Sequence, residues 1–118
     1  MTVKEVYAAI GGSYEDAMGL MRKEERVSKY LGMFLRDDSY QALKDGMDSG
    51  DMDKAFRGAH TLKGVTANLA LDRLREAASA LTEDLRGGKD IEKAKADWPK
   101  VTEIYEETIR VIREFKGE

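Results

Sequence analysis

Apolar residues recur along this chain with a helical period almost throughout. In the C-terminal third, Ile91, Ala94, Trp98, Val101, Tyr105, Thr108, Ile112 and Phe115 are spaced 3-4-3-4-3-4-3, which is one stripe along one side of a helix. Pro99 falls inside this stripe and predicts either a kink or a fresh start after Asp97. Leu71, Leu74, Ala78, Leu81 and Leu85 form a second stripe. Gly87-Gly88 is placed to end that helix and Asp90 to cap the next. Earlier, Asp51 follows Ser49-Gly50 and suits the N-cap of a helix reaching about Asn68. Its inward stripe is Ala55, Ala59, Leu62, Thr66 and Leu69, with small residues that let neighbours approach closely. A stretch from Glu24 sets Val27, Tyr30, Leu31, Phe34 and Leu35 on one side. Asp37-Asp38-Ser39 offers a break before Tyr40, Leu43 and Met47 resume the pattern. Val3 to Ile10 and Ser13 to Met21 read as short helices split by Gly11-Gly12.

No segment shows strand-like alternation, so the pattern predicts an all-α protein: an antiparallel four-helix bundle with an N-terminal helical cap. A chain of 118 residues is enough for one ordinary domain, here residues 1–118 with the bundle core at about 24–116. Composition narrows the function. With 42% hydrophobic and 36% charged residues the chain is neither disordered nor membrane-like. No apolar run approaches a membrane span, and Glu5 interrupts what would be the apolar run of a signal peptide. The net charge of −3 is made of interspersed signs, which argues against a nucleic-acid binder. There is no cysteine, which removes disulfides and thiolate chemistry and fits a cytoplasmic location. A monomer with protein partners, no nucleic acid and no membrane is expected.

The chain has a single histidine, His60, in Ala59-His60-Thr61-Leu62-Lys63-Gly64. At 100° per residue, Ala55, Ala59, Leu62 and Thr66 cluster in one direction. Phe56, His60, Lys63, Gly64 and Ala67 cluster roughly 120° away, which puts the imidazole off the core. An accessible imidazole, with an ordinary pKa of about 6.5, is a good nucleophile near neutral pH. A phosphoryl group is one electrophile it can accept reversibly. Lys63, three residues on, supplies a cation to neutralise the added charge. Gly64 leaves bare backbone beside the ring, at a helix-interior cost of about 1 kcal/mol that close approach of a partner would explain.

Bland readings stand beside these. A lone histidine on a helix surface is most often just solvated, and Lys63 is more often a solubilising lysine. Gly64 could equally serve helix–helix contact, and Phe56 could be a peripheral core residue. Other chemistry is easier to dismiss. Zinc needs several His or Cys ligands. A carboxylate di-metal site in a bundle pairs Glu with a His three residues later, and Arg57 stands there instead. No glycine loop of the nucleotide-binding type is present. No metal and no cofactor are expected.

The run Ala59-His60-Thr61-Leu62-Lys63-Gly64 resembles the signature of histidine-containing phosphotransfer (HPt) domains, the intermediates of multistep phosphorelays. Phe34, Leu43, Met47, the Gly50-Asp51 turn, Asn68-Leu69, Leu74, Leu81 and Arg86 stand where that family has similar residues. The resemblance covers about 30–88 well and the C-terminal helix by pattern. It implies that His60 accepts and donates the phosphoryl group, that Lys63 lies close to that group, and that Gly64 gives a receiver domain room. Phe56 and Ala67 would border it on the docking face. It also implies a response-regulator receiver or a hybrid sensor kinase as partner, with the receiver and its Mg²⁺ supplying most of the catalysis. The chain would be a carrier without a kinase or ATP site of its own. The alternative is a module of the same fold that docks receivers without phosphotransfer. One position departs: Ala70 replaces a glycine common in the family, which bears on the local turn.

Overall fold

The computed structural model describes residues 1–118. Seven α-helices follow one another: α1 (Val3–Ile10), α2 (Tyr14–Met21), α3 (Glu24–Phe34), α4 (Ser39–Ser49), α5 (Met52–Asn68), α6 (Asp72–Leu85) and α7 (Ile91–Lys116). One 3-10 turn, Arg86–Gly88, separates α6 from α7. Helices α4 to α7 form the antiparallel bundle, and α1 to α3 cap it.

Local chemistry explains most boundaries. Asp51 accepts from the Lys54 amide at 3.1 Å and Asp90 from the Lys93 amide at 3.0 Å, so both predicted caps hold α5 and α7 at their starts. Thr2 and Glu5 form a reciprocal capping box on α1. Gly50, Gly87 and Gly88 all take left-handed φ, which costs glycine nothing and lets the chain reverse after α4 and α6. The stretch from Glu24 does break. Asp37 Oδ1 accepts from the Ser39 amide at 2.9 Å and from its hydroxyl, an Asx turn that satisfies the backbone without continuing the helix. Helix α3 therefore ends at Phe34 and α4 starts afresh at Ser39. Tyr30, grouped with Val27, Leu31 and Phe34 by spacing, is exposed while those three are buried.

Helix α7 runs through Pro99 without interruption. The proline ring is on an exposed face, so the Lys95 carbonyl that loses its helical donor can be hydrated instead. The buried side of α7 is wider than its stripe, because Ile104, Ile109 and Val111 are buried too. This helix packs against α6 on one side and against α1 and α3 on the other, so it needs apolar residues around more of its circumference. At the α4–α7 crossing, Tyr40 stacks on Tyr105 with centroids 3.7 Å apart and on Trp98 at 5.6 Å.

Two glycines set the closest helix approach. A Cβ on Gly46 would lie 2.4 Å from the Ala55 amide nitrogen, and one on Gly58 would lie 2.5 Å from that of Leu43. Helices α4 and α5 thus touch backbone to backbone. No helix is long and apolar enough to cross a membrane.

Candidate functional site

The orientation of α5 decides which of its residues meet solvent. Ala55, Ala59, Leu62 and Thr66 are all fully buried, and the α4 contact through Gly58 prevents rotation about the helix axis. The Thr66 hydroxyl returns to the Leu62 carbonyl at 2.8 Å and the Lys63 carbonyl at 3.0 Å, so its polar group is satisfied inside the core. With that face locked inward, His60 projects outward and is exposed. Gly64 and Ala67 are exposed on the same face.

A Cβ added at Gly64 would meet nothing within 4 Å. It therefore makes no helix–helix contact; Gly46 and Gly58 do that instead. Phe56 is half-buried and packs against the edge of the core. Its ring also tilts against that of His60, with centroids 5.9 Å apart at 53°. The peripheral-core reading of Phe56 and its place beside the imidazole are both correct.

The α6 flank of the site is charged. The Arg86 guanidinium lies 5.2 Å from the Phe56 ring centroid, within cation–π range. It also forms a fork with Glu83, donating from Nε and from a terminal nitrogen at 3.2 Å each. These bonds hold the Glu83 carboxyl below the usual carboxylate range, with smaller help from the charges of Lys63 and Lys89. Lys63 is half-buried and pairs with no carboxylate within 4 Å. On this flank Arg86 pairs with Glu83, and the charges of Lys63 and Lys89 act on the same carboxylate. Pattern reasoning assigned Arg86 no role. Its linear signals are its match to a family position and its place three residues after Glu83, and nothing linear brings it over Phe56.

The helix ends where the expected departure falls. Ala70 has φ +55°. The Leu71 amide donates to the Thr66 carbonyl at 3.0 Å and the Ala70 amide to that of Ala67 at 3.2 Å, the two bonds of a Schellman motif with Ala70 at its left-handed position. Glycine suits that position because it has no Cβ. Here the N-terminal cap braces the corner. Tyr7 donates its hydroxyl to the Leu69 carbonyl at 2.7 Å, the Ser13 amide donates to the Ala70 carbonyl at 3.0 Å, and the Arg73 amide donates to that of Gly11 at 3.2 Å. Burial pushes the Tyr7 phenol well above its usual range, which keeps it a neutral donor.

No group of three or more His, Cys, Asp or Glu side chains is placed to hold a metal ion. No curated protein and no solved structure matches the chain. A family model described as the Hpt domain matches residues 29–114, which takes in the Asx turn, the whole bundle except the last two residues of α7, and the His60 face. Hpt domains are helical bundles that carry phosphoryl groups in phosphorelays and interact with receiver domains and kinases. The helical bundle, the match over well over half of its length, and the outward-facing imidazole agree: this chain belongs to the Hpt domain family.

Proposed function

We propose that His60 accepts a phosphoryl group from a receiver-domain aspartyl phosphate and passes it to the aspartate of another receiver. The observation that carries this reading is the exposure of the chain's only imidazole on a helix whose opposite face is fully buried. A neutral imidazole nitrogen attacks phosphorus, a nitrogen–phosphorus bond forms, and the phosphorus–oxygen bond to the aspartate breaks. The carboxylate leaves with the bond's electron pair, and the reverse exchange loads the next receiver. Lys63 and Arg86 balance the phosphoryl charge, and Gly64 and Ala67 give the partner room to approach. The bundle supplies a positioned nucleophile and a docking face, and residues 1–118 act as one carrier unit.

The test is incubation with a phosphorylated receiver. Acid-labile, base-stable phosphate should appear on the wild type. His60→Gln should lose it while keeping the helical spectrum and melting temperature. Uptake of such phosphate by the variant would overturn the assignment. Receiver binding without any uptake by the wild type would leave the docking-module reading in its place.

A further inference from the structure

Arg86 has two neighbours that draw it in different directions. Its guanidinium donates to both oxygens of the Glu83 carboxylate at 3.2 Å each, and it lies 5.2 Å from the Phe56 ring centroid. That ring is packed against the edge of the core, with its centroid 5.9 Å from that of His60. The guanidinium thus stands between a carboxylate and the ring that borders the imidazole. Lys63 connects the same two groups. It follows His60 by one turn of α5, and its charge, like that of Lys89, adds to the stronger pull of Arg86 on the Glu83 carboxyl. Neither lysine pairs with a carboxylate of its own.

A phosphoryl group on His60 would bring close to two negative charges to cations that Glu83 already engages. Phosphate oxygens accept a guanidinium fork as a carboxylate does, and they carry more charge. Arg86 and Glu83 are both exposed, and an exposed ion pair is weak, so Arg86 can change partners at little cost. Arg86 also lies just past the last residue of α6, ahead of Gly87 and Gly88, and its side chain makes no other hydrogen bond. The carboxylate it would leave behind stays on the same flank, where like charges repel until salt screens them.

We infer that Glu83 competes with the phosphoryl group for Arg86: it holds the guanidinium while His60 is free, loses it when His60 is loaded, and thereby favours onward transfer. This rests on the phosphorelay reading of His60 and deepens it. Glu83 acts through Arg86 and not on the reacting atoms, so it is a positioning residue.

The test loads the full chain with phosphoramidate, which passes its phosphoryl group to an imidazole nitrogen and releases ammonia, so no receiver is needed. The isotopically labelled Glu83 carboxyl is titrated by NMR in the free and the loaded protein. Loading should raise its pKa by about 0.5 and move the Arg86 Nε proton; His60→Gln treated alike should show neither change. Identical titrations before and after loading overturn the inference. A Glu83 carboxyl that moves while Arg86 does not would mean repulsion without exchange of partner, and also overturns it. Linkage makes the effect reciprocal. At neutral pH Glu83→Gln should shift the exchange equilibrium with a receiver about threefold toward the loaded histidine, and less at high salt. Glu103→Gln, at an exposed acid on α7, should leave that equilibrium unchanged, and both variants should melt with the wild type. Equal equilibria for Glu83→Gln and wild type overturn the competition and leave the relay intact. If no receiver exchanges phosphate with the wild type, the relay reading fails and the NMR measurements alone decide the competition. A histidine that phosphoramidate does not load overturns both.

Discussion

The charges around His60 are arranged unequally, and that has a consequence for transfer. Arg86 serves two groups at once, the Phe56 ring and the Glu83 carboxylate. Removing it would leave Glu83 without its hydrogen-bonded partner beside an incoming phosphoryl group, with only the weaker charges of Lys63 and Lys89 against it. Removing Lys63 deletes one cation and exposes no anion. Arg86→Ala is therefore expected to slow phosphoryl uptake more than Lys63→Ala, by about tenfold against a few-fold, and the difference should shrink with salt because these charges are exposed and screened. Initial transfer rates at low and high salt would check this. Equal rates for Arg86→Ala and wild type at low salt would remove Arg86 from the site. Lys63 and Gly64 were readable from the hexapeptide alone, because spacing of three and four residues puts side chains on one helix face. Arg86 was not, because its contact with Phe56 joins two helices.

At the scale of the helix, the glycines of α5 do opposite jobs. Gly58 faces the α4 backbone and Gly64 faces open solvent. Gly58→Ala would drive a methyl group into the Leu43 backbone, and overpacking of that kind costs about 1–3 kcal/mol. Gly64→Ala meets nothing and should gain about 1 kcal/mol from helix propensity, a melting temperature a few degrees higher. Thermal unfolding of the two variants should therefore move in opposite directions. A fall for Gly64→Ala would mean that its surroundings are more crowded than they are here. Ala70 shows a different balance at the end of the same helix. A left-handed alanine costs about 1–2 kcal/mol, yet its buried methyl and three hydrogen bonds between the corner and the N-terminal cap hold it.

Over the whole molecule, the α6–α7 corner carries a buried acid. Asp84 accepts from Lys93 at 3.2 Å, and Lys93 also binds Asp97 at 2.8 Å. One Asp84 oxygen has no partner. Burial, and then Asp97 beside it, push the Asp84 carboxyl up, while Lys93 opposes them. Asp97 is pulled down, first because a protonated Asp84 beside it can donate to it and then by its bond from Lys93. An acid whose folded pKa is raised binds more protons folded than unfolded, so its contribution is lost as pH rises above the ordinary aspartate value of about 3.9. The opposite contribution of Asp97 lies below that value. As pH rises above about 4, Asp84→Asn should therefore flatten this downward component of the melting-temperature profile. A profile parallel to wild type would show that Asp84 does not titrate there. No spacing rule signals this acid, since residues 84, 93 and 97 meet only after the Gly87-Gly88 reversal.

The helices, their caps at Asp51 and Asp90, the inward faces of α5 and α6, and the exposure of His60 were all legible in the chain itself. Each depends on residues within a few turns of one another, where helical period alone decides what lies together. Pro99 remained ambiguous because a proline is tolerated or not according to which side of its helix meets water. The burial of Ile104, Ile109 and Val111, the solvent position of Tyr30, and the contrast between Gly58 and Gly64 depend on which helix packs against which. Arg86 over Phe56 and the bracing of Ala70 depend on the same choice. Local sequence specifies the faces of helices; only packing in three dimensions specifies their neighbours, because those contacts join residues tens of positions apart.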